Sequence, residues 1–114
     1  MTPVPLVPAV AATPELTPQW MLDAAVAGGA RLVDVAEADT IVWGGSADPA
    51  GLRELIEPHD AAITWVQLPW AGVEPYLDVL DDRRTWTCAK GAYADDVAEM
   101  ALALLLAGRR AVGR

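Results

Sequence analysis

Thr40-Ile41-Val42-Trp43-Gly44-Gly45-Ser46-Ala47-Asp48-Pro49-Ala50-Gly51-Leu52-Arg53-Glu54-Leu55-Ile56 holds one complete passage from strand to helix. Its first four residues are β-branched or aromatic and apolar, which suits a strand buried on both faces. Gly44-Gly45 stops the run. Asp48-Pro49 then pairs an N-cap with a proline at the first helical position, and Leu52, Leu55 and Ile56 follow helical spacing until Pro58 forbids continuation. The same unit recurs on either side. Thr17-Pro18 opens a helix with Met21, Leu22, Ala25 and Val26 on one face, closed by Gly28-Gly29. Strands are expected at Val4 to Val7, Arg31 to Val35, Ala61 to Leu68 and Thr85 to Cys88, and a third helix over Val73, Tyr76, Leu77 and Leu80. The first of these is the weakest strand, because Pro5 cannot donate to a ladder. Strands alternating with helices imply an α/β fold with a parallel sheet of about five strands.

The 114 residues suffice for one domain with a real core. An apolar content of 54% and a charged content of 21% lie far from the composition of disordered chains. Sixteen acids against eight bases give a net charge of -8, which disfavours binding to nucleic acid or to anionic membrane surfaces. Residues 1–82 carry 13 acids against Arg31 and Arg53, whereas residues 83–114 carry six bases against three acids. The C-terminal bases read as dipole partners and solvated positions, not as a nucleic-acid tail. A single cysteine, Cys88, and a single histidine, His59, exclude an intrachain disulfide and a Cys/His zinc site, and a cytoplasmic, reducing setting is expected. The N-terminus has no basic region and is broken by Pro3, Pro5 and Pro8, so no signal peptide is expected. No apolar run approaches the roughly 18 residues needed to span a bilayer.

In open parallel sheets ligands bind beyond the carboxyl ends of the strands. Two loops there are candidates: Gly44-Gly45-Ser46, leading into a helix at Asp48, and Trp70-Ala71-Gly72, leading towards Val73. Glycines let a backbone approach a ligand closely, and free N–H groups at helix starts attract carboxylates. Either loop alone is equally an ordinary glycine turn. Trp70 would add a rigid apolar wall beside such a site, or pack against the neighbouring loop. Neither the P-loop pattern nor G-x-G-x-x-G occurs anywhere in the chain. His59, between Pro58 and Asp60, has no catalytic partner in sequence. Cys88 reads as a core residue, and Asp95-Asp96 as first-turn dipole partners. The segment Ala94 to Arg110 forms a long helix apolar around nearly its whole circumference, and such a helix needs cover on every side. One sheet face cannot supply that cover.

The order Ala38-Asp39-Thr40-Ile41-Val42-Trp43, then Val66-Gln67-Leu68-Pro69-Trp70-Ala71-Gly72-Val73-Glu74, then Ala89-Lys90-Gly91-Ala92-Tyr93-Ala94-Asp95-Asp96-Val97-Ala98-Glu99-Met100-Ala101-Leu102-Ala103-Leu104, resembles the N-terminal part of D-isomer-specific 2-hydroxyacid dehydrogenases over roughly residues 38–110. The resemblance implies a flavodoxin-like substrate domain over residues 1–92 and an interdomain helix over 93–114 that leads to a Rossmann domain binding NAD or NADP. It implies reduction of 2-oxo acids to D-2-hydroxy acids, or the reverse, in a homodimer. Backbone N–H groups matching Gly44, Gly45, Ser46, Ala71 and Gly72, beside Trp70, would hold the substrate carboxylate, and Val97 would touch the cofactor. Met100 stands where many members have histidine. The family's glycine fingerprint, substrate-binding arginine and histidine–acid pair have no counterpart here, so the chain is expected to be a fragment or truncated product, inactive by itself. The competing expectation is a freestanding flavodoxin-like binding or dimerisation module. Phospho-receiver domains lack support, because no acidic residues follow the first strand and Gly44-Gly45 end the third. A flavodoxin would need a Ser/Thr-rich phosphate loop, whereas Ser46 is the only serine.

Overall fold

The computed structural model describes residues 7–12, 17–44 and 48–112. Five strands form one parallel sheet: β1 (Ala9–Ala11), β2 (Arg31–Leu32), β3 (Thr40–Val42), β4 (Trp65–Gln67) and β5 (Thr85–Thr87). Their order across the sheet is β2-β1-β3-β4-β5, so the chain reverses its direction of travel between β1 and β3. With helices α1 (Gln19–Ala27), α2 (Pro49–Ile56) and α3 (Ala94–Arg110), this is an α/β, flavodoxin-like architecture. Among the described residues no helix is long and apolar enough to cross a membrane.

Register settles which side chains share a face. Ile41, Val66 and Trp86 align across β3, β4 and β5, and Trp43, Leu68 and Cys88 continue the same side. That face meets Leu52 and Ile56 of α2 together with Ile63 and Tyr76, forming the main core. Burying each such aliphatic side chain contributes about 1.5–3 kcal/mol. The opposite face carries Thr40, Val42, Trp65, Gln67, Thr85 and Thr87. An apolar recess of about 240 Å³ lies between this face and Ala25 and Gly28 at the end of α1. On β4 and β5 the face is only half-buried and is tied by a polar chain. The Trp65 indole donates to Thr87 Oγ1 (2.8 Å), whose hydroxyl donates to Gln67 Oε1 (2.6 Å).

Local signals decide where the elements begin and end. The Asp48 carboxylate accepts from Gly51 N at 2.9 Å and Pro49 occupies the first turn, which fixes the start of α2. Gly29, at φ +99°, supplies the left-handed residue that turns the chain from α1 into β2. Thr17 does not cap α1 with its side chain. Its threonine is buried instead, with Oγ1 3.5 Å from Val42 O.

Several sequence expectations are corrected. The first strand is Ala9–Ala11, beyond the proline cluster; Val7 is exposed and outside the sheet, and positions 4–6 lie outside the described residues. The second strand is a two-residue exposed edge, because the chain passes into a 3-10 turn at Val35–Glu37. The strand expected over Ala61 to Leu68 is three residues long, since Ala62 N and Ile63 N both bond back to His59 O and hold the preceding residues in a turn. The helix expected over Val73 to Leu80 is a 3-10 turn at Glu74–Tyr76 followed by further turns. Pro75 supplies no N–H there, and Tyr76 N and Val79 N bond three residues back, to Val73 O and Tyr76 O. Tyr76 still reaches the core. Of the tryptophans on or just beyond the central strands, Trp43 is buried, whereas Trp65 and Trp86 are half-buried.

A buried arginine anchors the amino-terminal edge of the sheet. Arg84, 4% exposed, directs Nε at both carboxylate oxygens of Asp81 (3.1 and 3.0 Å), one terminal nitrogen at Asp60 and the other at Ile63 O (3.3 Å). Arg83 also pairs with Asp60. Burial pushes the Asp81 carboxyl up, but the hydrogen bonds and charge of Arg84, with N–H groups of Arg83 and Trp86, outweigh it and hold Asp81 below its ordinary value.

The helix α3 occupies the residues expected of it, yet it is not covered. Every residue from Ala94 to Arg110 is exposed except Ala107, which is half-buried. It projects from the sheet domain, giving extents of 57 × 31 × 28 Å and a radius of gyration of 17.5 Å, against about 13 Å for a compact chain of this length.

Candidate functional site

The carboxyl edge of the sheet is where the candidate residues gather. Trp43 N bonds to Gln67 O (2.9 Å) and Leu68 N to Thr87 O (2.8 Å), which carry the ladder past the ends of β3, β4 and β5. Ala89 N then bonds to Trp70 O (3.0 Å), so the loops leaving β4 and β5 are joined. Gly91, at φ +88°, turns the chain into α3. Between the β4 loop and the root of α3 lies a shallow depression of about 430 Å³ lined by Ala71, Gly91, Tyr93, Ala94, Val97 and Ala98, with Ala101. Two residues that the resemblance assigns to different ligands, Ala71 and Val97, therefore share one surface. Gly72 is exposed beside it and Trp70 is 38% exposed.

Gly44 belongs elsewhere. It is buried, and a Cβ there would lie 3.0 Å from Thr17 Cα and 3.2 Å from Met21 Sδ, so its glycine allows the chain to pass under the start of α1. It lines none of this depression. Gly45 and Ser46 lie outside the described residues, as do positions 13–16 after β1, so the exits at the switch point between β1 and β3 are described only in part. At the start of α2, the N–H of Gly51 meets the Asp48 carboxylate. A protein carboxylate thus occupies the helix terminus that the sequence offered to a substrate acid.

A second resident carboxylate stands at the other loop. Glu74 folds back over Gly72, its Oε2 2.6 Å from where a Cβ would be. Any acid held by the backbone of Ala71 and Gly72 must approach beside this charge. Burial raises the Tyr76 hydroxyl pKa and the Asp48 charge adds to it, while the Trp43 indole offsets part. Tyr76 is therefore no base at neutral pH. The Trp43 Nε1 itself is buried without a geometrically good partner among the described residues.

His59 ends the turn after α2 and precedes β4, at the sheet edge opposite the depression, so it cannot act there. Cys88 is half-buried against the core, as a packing residue is. Asp95 and Asp96 occupy the first turn of α3 and Arg109 and Arg110 the last, each matched to the helix dipole. No cluster of His, Cys, Asp and Glu among the described residues could hold a metal ion.

A nicotinamide dinucleotide carries two phosphates and needs donors to hold them. The lining of the depression is small and apolar apart from Tyr93, and the adjacent helix terminus bears Asp95 and Asp96, which repel phosphate. Val97 offers van der Waals contact only. The described residues do not fit a dinucleotide. Sequence reading missed Gly91, Tyr93 and Glu74 as parts of this edge, the Gly91-Ala92-Tyr93 step before a helix being the available signal, whereas the N-cap role it gave Asp48 is observed. Comparison with family models, with curated proteins and with solved structures finds no match to this chain.

Proposed function

We propose that this chain is the substrate-side domain of an oxidoreductase that interconverts 2-oxo acids and D-2-hydroxy acids, its NAD or NADP being held by a nucleotide-binding unit outside the described residues. The observation that carries this reading is the meeting of the Ala71-Gly72 loop with Val97 at the root of an uncovered apolar helix. A ligand in that depression is bounded by the loop backbone on one side and by α3 on the other. Tyr93 lines the depression and supplies an apolar wall for a hydrophobic substituent, with the partly exposed Trp70 next to Ala71 in the loop, and α3 offers a surface for the unit that brings the hydride donor. With the start of α2 filled by Asp48, the acid's carboxylate is assigned to the Ala71 and Gly72 amides. Hydride transfer also needs a positioned acid or base, and no described residue at the depression serves as one, so the chain alone is inactive.

The test is a titration of the isotopically labelled chain with oxamate, a carboxylate analogue of a 2-oxo acid, followed by amide NMR. Saturable shifts centred on Ala71, Gly72 and Gly91 are expected. Shifts scattered over the surface, or none, overturn the assignment and favour the second reading, a non-catalytic dimerisation module. The uncovered α3 is the observation in that reading's favour.

A further inference from the structure

Glu74 stands where an acid-binding loop has least use for a carboxylate. Its Oε2 lies 2.6 Å from the position of a Cβ on Gly72, so the side chain is folded over the very backbone that would hold a substrate acid. No structural task accounts for it. Among the described residues Glu74 makes no ion pair and no side-chain hydrogen bond, and the turn that it begins has no side-chain cap. Lys90, in the loop leaving β5, is exposed and is not paired with it. The charge of Glu74 is therefore left for a ligand to meet. The rest of this edge has the same sign, because Asp95 and Asp96 occupy the first turn of α3 beside Tyr93 and Ala94 of the depression. A simple 2-oxo acid is a monoanion, and it would approach this edge of a chain of net charge -8 against the field. A 2-oxo acid whose side chain bears an ammonium or guanidinium group has no net charge and is not repelled.

The depression determines where such a cation goes. Its lining of Ala71, Tyr93, Val97 and small neighbours offers no charge partner, so a cation cannot settle inside it. A methylene stem can. Long basic side chains lie on apolar surfaces in this way, with the stem down and the charged head turned to a polar rim. On the Gly72 side that rim holds Glu74. Resting on the assignment of a substrate carboxylate to the Ala71 and Gly72 amides, we infer that the preferred substrate is a 2-oxo acid with a basic side chain, its methylenes along Tyr93 and Val97 and its cation paired with the Glu74 carboxylate. Glu74 then sets specificity from both sides, since it attracts the side-chain cation and repels acids that lack one. It takes no part in moving hydride or proton. A carboxylate laid over a carboxylate-binding loop, which is a defect for a simple acid, becomes the feature that selects a zwitterion.

Two oxamates that differ only at the tip of one chain make the test. N-(2-aminoethyl)oxamate ends in an ammonium group, and N-propyloxamate ends in a methyl group of similar size. An ion pair about 4 Å apart in water improves binding about fivefold. Amide NMR titration of the full chain should therefore give the aminoethyl compound a Kd about fivefold lower at low salt, with the ratio shrinking as ionic strength rises. Glu74→Gln should bring the two compounds close to parity. Glu57→Gln, which removes a charge of the same sign at the opposite edge of the sheet, should leave the ratio as it is in wild type. Saturable binding of both compounds at the Ala71 and Gly72 amides with equal affinity, or with a ratio that Glu74→Gln does not change, would overturn the substrate class and leave the acid-binding loop standing. Binding of neither compound at those amides would overturn both.

Discussion

Replacing Arg84 by methionine tests whether the amino-terminal edge of the sheet is held by its buried cation. The guanidinium has no side-chain exposure and bridges Asp81, Asp60 and Ile63 O, joining the turns that precede β4 and β5. Removing one partner of a fully buried ion pair costs about 3–5 kcal/mol, because the other charge stays desolvated. Asp81 and Asp60 here keep 23% and 35% side-chain exposure, so water recovers part of that loss. A cost of about 2–3 kcal/mol is expected, or roughly 8–15 °C in Tm for a domain of this size. Arg84→Lys should recover part of it, keeping the charge but not the fork. The acid side carries a sign. Asp81 titrates below 3.8 when folded, so its contribution is present above that pH and fades as pH falls through the folded value. In thermal melts followed by circular dichroism, the gap between wild type and Arg84→Met should therefore be full at neutral pH and narrow below about pH 4. A gap of only a few degrees at neutral pH, or one that widens in acid, would refute the reasoning.

Asp48→Ala should cost about 1 kcal/mol by uncapping α2, with Asp48→Asn close to wild type, as read by urea denaturation. Gly44→Ala should destabilise by about 1–3 kcal/mol, because its Cβ would press on Thr17 Cα, a backbone atom that cannot swing aside. The same denaturation series checks it, and an unchanged midpoint would contradict the packing role given to Gly44. The purified chain, mixed with pyruvate and reduced nicotinamide dinucleotide, should show no loss of reduced cofactor absorbance. Measurable turnover would contradict the division of labour proposed here.

Much of the fold is legible in local signals. Asp48-Pro49 marks the start of α2, Gly28-Gly29 the end of α1, and the apolar run bounded by Asp95-Asp96 and Arg109-Arg110 gives α3 its full length. The misread segments share a cause. Val73 to Leu80 has the spacing of an amphipathic helix, but Pro75 and bonding to the third residue back keep it a chain of turns in which only Tyr76 is fully buried. Ala61 to Leu68 has the composition of a strand, but His59 O captures the N–H groups of Ala62 and Ile63. Arg84 shows how far charge can mislead, since as one of two adjacent arginines it reads as solvated, and only the fold brings Asp60 and Asp81 to it. At the candidate site the loops were identified from glycine content, and Ala71 proves to lie beside Val97. Glu74 does not announce itself as an occupant of its loop, because a carboxylate close in sequence to a glycine turn gives no sign of whether it folds inward or out, whereas Asp48 is legible as the cap of α2 and already excludes a substrate acid from that helix start.

The acid-binding claim is tested most directly at Glu74, whose carboxylate overlies Gly72. Unit charges about 6 Å apart in water repel by about 0.7 kcal/mol, so Glu74→Gln should tighten oxamate binding about threefold at low salt, with the gain shrinking as ionic strength rises. Calorimetric or NMR titration of wild type and variant side by side makes the comparison. Tighter, salt-sensitive binding by the variant is the predicted result, and binding that is absent, unchanged or weakened by Glu74→Gln would contradict the assignment of the Ala71-Gly72 loop to a carboxylate.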